Sequence, residues 1–234
     1  MADQDGHDQT PAGLSGPLHP RRRQPALHPF VVVLLGILAA AVLWVGAVHI
    51  GPTAADATAL GESIELRSGG LTAFATVLTY AGSTVSMAVL ALVVALWLLY
   101  RGRRVDAVLV FGAMAGASLV FRGLKLLIDR PRPPLESRLV DVTNESLPSG
   151  HATMSVVVIA TLVVLAWAGL GHAARVVMIA AAAVWIGGVG ATRIYLGVHW
   201  FSDVVAGWLV GGAWWAICVV VWSWWRARHP APPA

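Results

Sequence analysis

Cysteine and charged side chains are both scarce in this sequence. Its 234 residues include one cysteine, Cys218, which lies in an apolar run and excludes a disulfide framework or a cysteine-based metal site within the chain. Charged residues make up 12% of the chain, which is about half the share of a soluble domain. Hydrophobic residues make up 57%, and the mean hydropathy is +0.72. The composition therefore predicts an integral membrane protein whose surroundings are the lipid bilayer.

The formal net charge of +4 does not indicate a nucleic-acid partner. The basic residues are spread among short loops and form no long run that follows a phosphate backbone. We expect much of the positive charge to mark the membrane side on which each loop lies. No pattern in the sequence indicates a protein partner.

Six apolar runs predict an all-α fold of six transmembrane helices in a single bundle. Each run has roughly 20 residues, which is long enough to cross about 30 Å of hydrocarbon. For the first run a cleaved signal peptide is the alternative, because a basic stretch precedes it and small residues follow. A polar loop is predicted over 51–70 and a short interfacial helix over 71–80. The predicted spans are residues 30–50, 84–100, 105–128, 152–170, 174–190 and 201–225.

The runs also divide the chain into a membrane domain and two tails. Residues 1–28 predict a disordered cytoplasmic tail, 29–226 the six-helix membrane domain, and 227–234 a short cytoplasmic tail. With six spans, both termini share one side with the loops after spans two and four. That side is rich in arginine, so the positive-inside rule makes it the cytoplasmic side of the plasma membrane. Its arginines are Arg21, Arg22, Arg23, Arg101, Arg103, Arg104, Arg175, Arg226 and Arg228.

Three polar clusters lie at the ends of predicted spans. The first runs from Lys125 to Pro133, the second covers 148–151, and the third covers 192–203. From His151 to Arg193 is 42 residues, the length of two crossings and a tight turn, so the second and third clusters share one face. The loop between the first and second clusters is too short and too charged to cross. All three clusters are therefore predicted to meet at the outer face.

The residue types in these clusters suit the transfer of a phosphoryl group. Arginine forks match phosphate oxygens, and the free N–H groups at the start of a helix favour an anion. Asp203, one helical turn after His199, can hold the Nδ1 proton of the imidazole and leave Nε2 to attack phosphorus. His151 is then the acid that protonates the departing oxygen. The predicted phosphate-binding residues are Lys125, Arg132, Ser149, Gly150 and Arg193.

No cluster of carboxylates suited to Mg²⁺ is visible in the sequence. We therefore expect no metal and no other cofactor, with the arginines and the lysine supplying the positive charge that phosphoryl transfer requires.

The three clusters resemble the motifs of the type 2 phosphatidic acid phosphatase superfamily. The motifs are Lys-x6-Arg-Pro, Pro-Ser-Gly-His and Ser-Arg-x5-His-x3-Asp, and the resemblance covers roughly residues 71–221. Here Thr192 replaces the usual serine of the third motif and keeps the hydroxyl. The resemblance implies a six-helix core, metal-independent hydrolysis and a phosphohistidine intermediate. It also implies that His199 is the nucleophile, Asp203 its carboxylate partner and His151 the acid. The phosphate-binding residues that it implies are Lys125, Arg132, Ser149, Gly150 and Arg193.

The predicted function is a lipid phosphate or pyrophosphate phosphatase with its active site near the outer headgroups. Candidate substrates are undecaprenyl pyrophosphate, phosphatidylglycerol phosphate and phosphatidic acid. A transporter or channel is an alternative, but it requires charges deep within several spans. A vanadate-dependent haloperoxidase, which resembles this phosphatase family at its anion site, is a second alternative, but those enzymes are soluble.

Several further residues allow two interpretations. Arg130 and Arg138 are either headgroup contacts or solvated loop charges, whereas Arg122, inside span three, favours a functional or paired role. Two pairs of glycines four residues apart predict close helix packing within the bundle, at Gly112 and Gly116 and at Gly207 and Gly211.

Overall fold

The computed structural model describes residues 35–36, 39–40 and 51–228, and they confirm the predicted all-α fold. Two 3₁₀ turns, Leu135–Ser137 and Trp167–Gly169, lie between the longer helices. Within residues 51–228 the α-helices are α1 (Ala54–Glu65), α2 (Gly69–Ala81), α3 (Thr84–Tyr100), α4 (Arg104–Ile128), α5 (Gly150–Ala166), α6 (His172–Tyr195) and α7 (Phe201–Arg228).

Four of these helices are long and apolar enough to cross a membrane: α4, α5 with its 3₁₀ extension, α6 and α7. Helices α2 and α3 meet at a bend of 44° and make a fifth span if they are counted together. The predicted first span, 30–50, lies outside the described residues except for 35–36 and 39–40. The count of six spans and the tail at 1–28 therefore remain predictions.

The predicted polar loop over 51–70 is wrong, because most of it forms α1. This helix begins with a capping box, in which the Thr53 hydroxyl accepts from the backbone N–H of Asp56 and the Asp56 carboxylate accepts from that of Thr53. The two reciprocal bonds satisfy N–H groups that a helix start leaves free. The predicted interfacial helix over 71–80 lies within α2, which packs against the end of α6, where the Thr72 and Tyr195 hydroxyls are 2.9 Å apart.

Close packing between α5 and α7 depends on the predicted glycine pair on α7. A Cβ atom at Gly207 would lie 2.7 Å from the carbonyl oxygen of Ser149, and one at Gly211 would lie 2.7 Å from that of Thr153. Only a residue without a side chain permits this approach. The other pair behaves differently. Gly116 packs against Trp214, whereas Gly112 borders an apolar cavity of about 470 Å³ between α4 and α7.

The antiparallel helices define two ends of the bundle. At the upper end α4 and α6 finish while α5 and α7 begin, so the loops 129–149 and 196–200 meet there. At the lower end, arginines lie over tryptophan rings at distances of 3.9 to 5.5 Å. These pairs fit the aromatic and basic belt expected at a membrane surface, and they are Arg101–Trp97, Arg175–Trp167, Arg226–Trp222 and Arg228–Trp224.

Candidate active site

The loop between α6 and α7 presents His199 at the upper end. Gly197 adopts a positive φ of 69°, and a Cβ atom there would collide with the carbonyl group of Ser137, so glycine is required at this turn. The backbone N–H groups of Val198 and His199 both donate to the carbonyl oxygen of Arg193, at 3.1 and 3.2 Å. The loop therefore folds back onto the end of α6, and the His199 side chain is only 3% exposed.

The contacts of the His199 imidazole fix its tautomer. Its Nε2 atom lies 3.2 Å from a terminal nitrogen of Arg132, and its Nδ1 atom lies 3.4 Å from Oδ2 of Asp203. A guanidinium group only donates hydrogen bonds, so Nε2 must carry a lone pair and the proton must sit on Nδ1. The lone pair of Nε2 thus points at the cationic side of the site, and the carboxylate lies behind the ring.

The carboxylate of Asp203 is held from several directions. Its Oδ2 atom accepts from the Ser146 hydroxyl and, at 2.8 Å, from the backbone N–H of Trp200. Its Oδ1 atom accepts from Arg130 at 2.8 Å. With no exposed surface and these partners, Asp203 has a single orientation from which to bind His199.

Burial holds the pKa of His199 well below its usual range, and the nearby charges of Arg132, Arg193 and Lys125 lower it further. Both causes act in the same direction, because the buried imidazolium would lose its hydration and face three cations. His199 is therefore neutral around pH 7, which is the form that a nucleophile needs.

Two of the predicted phosphate-binding cations bind backbone carbonyl groups of the loop 129–149. The Nζ atom of Lys125, in the last turn of α4, donates to the carbonyl oxygens of Glu145 and Ser146. Arg132 donates to Asn144 through the backbone carbonyl and the side-chain amide, both at 2.6 Å. Burial lowers the pKa of Arg132 to about 10, so its side chain stays charged at neutral pH. The loop thus aims both positive charges into one region.

The remaining predicted residues complete the cluster from α5 and α6. Arg193 is 4% exposed and donates to the Thr79 hydroxyl of α2 at 2.7 Å. Among the described residues, its Nε atom and the hydroxyl of Ser149 are buried and have no hydrogen-bond partner. Gly150 opens α5 and packs near the Phe121 ring, and the first N–H groups of a helix have no acceptor within the helix.

His151 stands on the first turn of α5 and is partly exposed. It interacts electrostatically with His199 and with three cations, Arg193, Arg132 and Lys125. The structure therefore brings the eight predicted site residues together at the upper end. Their roles in a reaction stay predictions.

Sequence reasoning missed two residues of this cluster, Arg130 and Asp56. Arg130 is 6% exposed and bridges the carboxylates of Asp203 and Asp56, at 2.8 and 2.9 Å. Its interpretation as a headgroup contact or a solvated charge was wrong, because both carboxylates are inside the protein. Burial alone would raise the pKa of Asp56, but hydrogen bonds from Ser202, Thr53 and Arg130 lower it below its usual value. The sequence signal that could have predicted α1, and with it Asp56, is the capping box formed by Thr53 and Asp56.

Three other residues lie outside the cluster or turn away from it. The Thr192 hydroxyl donates to the carbonyl oxygen of Val189 in its own helix, at 2.6 Å. Arg138 braces the loop through the carbonyl oxygens of Pro133 and Val142. Arg122 is exposed on α4 and lies 6.0 Å from the Phe121 ring.

Comparisons with known proteins concern the fold and the sequence of the whole chain. Its fold is similar to a transmembrane PAP2-type phosphatidylglycerolphosphate phosphatase from Bacillus subtilis, with a TM-score of 0.70 and 23% identity over 88% of this chain and 100% of the other. It is also similar to Aquifex aeolicus LpxE, with a TM-score of 0.57 and 22% identity over 73% of this chain and 96% of the other. No curated protein matches the sequence. The sequence model of the PAP2 superfamily, however, matches residues 106–227, which is more than half of the chain. The protein is therefore a member of the PAP2 superfamily.

Proposed function

We propose that this protein is a membrane phosphatase that hydrolyses a lipid phosphate through a phosphohistidine at His199. The observation that carries the proposal is the orientation of the imidazole. Its Nε2 lone pair points at Arg132, while its Nδ1 proton points at Asp203. A neutral nucleophile directed into a set of fixed cations is the arrangement that phosphoryl transfer needs.

A phosphate group that enters the site takes over donors already present there. The forks of Arg132 and Arg193 and the Nζ atom of Lys125 bind its oxygens, and the unused Ser149 hydroxyl and the N–H groups at the start of α5 add further donors. Because the oxygens replace carbonyl groups as partners of Arg132 and Lys125, the two cations need little rearrangement.

In the first step Nε2 of His199 attacks phosphorus, a P–N bond forms, and the bond from phosphorus to the lipid oxygen breaks. His151, protonated while the anionic phosphate is bound, gives its proton to that oxygen and becomes neutral, and the lipid leaves as an alcohol. In the second step water attacks the phosphohistidine, the P–N bond breaks, and His151 takes a proton from the water. Inorganic phosphate leaves, His199 regains its lone pair, and both histidines return to their starting states.

The cations supply the charge stabilisation in this proposal, without a metal ion. The described part of the chain contains no group of three or more His, Cys, Asp or Glu side chains placed to share an ion. Turnover should therefore persist in excess EDTA. Loss of turnover in EDTA, with recovery on adding Mg²⁺, would contradict this part of the proposal.

The substrate is proposed to be a lipid because the cluster lies at the ends of four apolar helices, within reach of headgroups. The family relationship and the solved relative that acts on phosphatidylglycerolphosphate support this class. Among the described residues, all buried charged side chains except Asp106 lie at the upper end. A transporter would need charges deep within several spans, so this distribution does not favour one.

The upper end is proposed to face outward at the plasma membrane, with both termini in the cytoplasm, because the lower end carries the arginine–tryptophan pairs. Tags after Gly171 and near Asn144 test this orientation in intact cells. A shielded Asn144 tag together with an exposed Gly171 tag would show the opposite orientation.

The decisive experiment uses purified protein in detergent with ³²P-labelled phosphatidic acid, phosphatidylglycerol phosphate and undecaprenyl pyrophosphate. Rapid quench in alkaline detergent should trap label on the wild-type protein, and the linkage should be base-stable and acid-labile, as for a phosphohistidine. His199→Ala should lose both the trapped label and turnover. The proposal would be overturned if no labelled intermediate were trapped and turnover persisted in His199→Ala.

A further inference from the structure

A buried chain of charges extends from His199 away from the phosphate-binding cations. It runs through Asp203 and Arg130 to Asp56, and the two ion pairs of Arg130 measure 2.8 and 2.9 Å. Both carboxylates have no exposed surface, and Arg130 has 6%. At this depth water screens the charges weakly, so each one acts on the next.

Asp56 belongs to α1, which lies outside the region matched by the family. One of its oxygens accepts from the backbone N–H of Ser202 at 2.7 Å, and the other accepts from the Ser202 hydroxyl at 2.8 Å. Ser202 is the second residue of α7 and directly precedes Asp203. Asp56 therefore holds both the start of the helix that carries Asp203 and the arginine that binds Asp203.

The sum of the charges gives Asp56 a role in the reaction. As Nε2 attacks phosphorus, the imidazole ring of His199 acquires positive charge. Asp203 and Arg130 together carry no net charge, so by themselves they offset little of it. With Asp56 added, the group carries one net negative charge behind the ring.

We propose that Asp56 and Arg130 are positioning residues for phosphoryl transfer. Arg130 orients the Asp203 carboxylate toward Nδ1 of His199, and Asp56 fixes Arg130 and balances its charge. The inference rests on the phosphohistidine step proposed above. It assigns a part of that step to α1, the helix that precedes the matched region.

The test measures the rate of phosphoenzyme formation by rapid quench, per folded protein. Asp56→Asn should slow this rate about tenfold with KM little changed, because Asp56 acts on the ring charge and does not touch phosphate. Ser63→Ala is the matched control. It also removes a hydrogen bond from α1 to the rest of the bundle, to the carbonyl oxygen of Ile194, but has no link to Asp203. This control should keep the wild-type rate.

A second variant separates charge balance from simple damage to the fold. Arg130→Gln added to Asp56→Asn restores one net negative charge, and Asp203 keeps its hydrogen bonds from the Ser146 hydroxyl and the backbone N–H of Trp200. The double variant should therefore recover part of the rate lost in Asp56→Asn, whereas a purely structural role predicts a further loss. The double variant can also be tested if Asp56→Asn alone does not fold. Total loss of phosphorylation in the double variant would contradict the proposal.

A double-mutant cycle gives the remaining test. In an Asp203→Asn background, Asp56→Asn should have a smaller effect on the phosphorylation rate, since its positioning part acts through Asp203 and only its charge remains. Equal effects in both backgrounds, or a single Asp56→Asn variant as fast as wild type, would overturn the inference. An inactive wild-type protein would instead overturn the proposed function, so the two failures are distinguishable.

Discussion

Arg132 donates a hydrogen bond across 3.2 Å to Nε2 of His199, the atom proposed to attack phosphorus. The same nitrogen of Arg132 also donates to the carbonyl oxygen of Val198, the residue before this histidine. The positive charge is therefore fixed beside the imidazole, where it opposes protonation of the ring.

This contact predicts the pH dependence of Arg132→Gln. Burial and the neighbouring cations lower the pKa of His199, so the neutral nucleophile persists to acidic pH. Removing the charge of Arg132 should raise that pKa, and the acidic limb of kcat/KM should move to higher pH, together with a higher KM. Comparing the profiles of wild type and variant from about pH 4 to 8 with the same substrate cancels the ionisation of the substrate itself. An unshifted acidic limb would contradict the prediction. Arg138→Gln is the control, because wild-type Arg138 braces only the loop.

Much of this arrangement was predictable from helix length and motif spacing. The interval of 42 residues between His151 and Arg193 predicted a shared face, and in the structure α5 begins at Gly150 and α6 ends at Tyr195. A bundle of antiparallel helices leaves few alternatives once the polar groups lie at the helix ends.

The connection from Asp56 to the active site was not predictable in the same way. A capping box indicates where a helix starts, but it says nothing about the neighbours of that helix. Ser202 and Asp56 are 146 residues apart in sequence and 2.7 Å apart in space. Arg130 is buried because two carboxylates, one on α1 and one on α7, pair with it. Hydropathy patterns do not show which helices come together, so they could not predict this.

Gly207 and Gly212 on α7 form a matched pair for testing the packing behind Ser149. A Cβ atom at Gly207 meets the carbonyl oxygen of Ser149 at 2.7 Å, whereas one at Gly212 meets nothing within 4 Å. Gly207→Ala should therefore destabilise the protein by about 1–3 kcal/mol and lower kcat, because the start of α5 must shift. Gly212→Ala should keep kcat and stabilise α7 by up to about 1 kcal/mol. Thermal unfolding in detergent and kcat measure both effects, and equal behaviour of the two variants would contradict this account.

Lys125 is the single lysine of the sequence, which makes it a specific reporter of phosphate binding. Its side chain is 5% exposed and points at the loop carbonyl groups of Glu145 and Ser146. Inorganic phosphate should slow acylation of Lys125 by an amine-reactive reagent, as measured by peptide mass spectrometry. His199→Ala should keep this protection and Arg193→Gln should weaken it, because Arg193 is proposed to bind phosphate and His199 to react with it. Acylation at the same rate with and without phosphate would exclude Lys125 from the binding site.

The last prediction concerns the different positions of the two histidines. His199 has a carboxylate behind its ring, whereas His151 stands on the first turn of α5 and is partly exposed. A residue in this position suits proton exchange with the leaving oxygen and with the incoming water.

His151→Ala should therefore slow hydrolysis most when the leaving group is a poor one. General acid catalysis is typically worth about 10²–10⁴-fold, so a lipid monoester should lose a factor of this order. p-Nitrophenyl phosphate, whose leaving group needs no proton, should recover much of that factor in the phosphorylation step. His199→Ala should be inactive toward both substrates, and His172→Ala, at the exposed start of α6, should resemble wild type. If His151→Ala slowed the phosphorylation step equally for both substrates, or if His199→Ala still trapped a phosphohistidine, the assigned roles would be wrong.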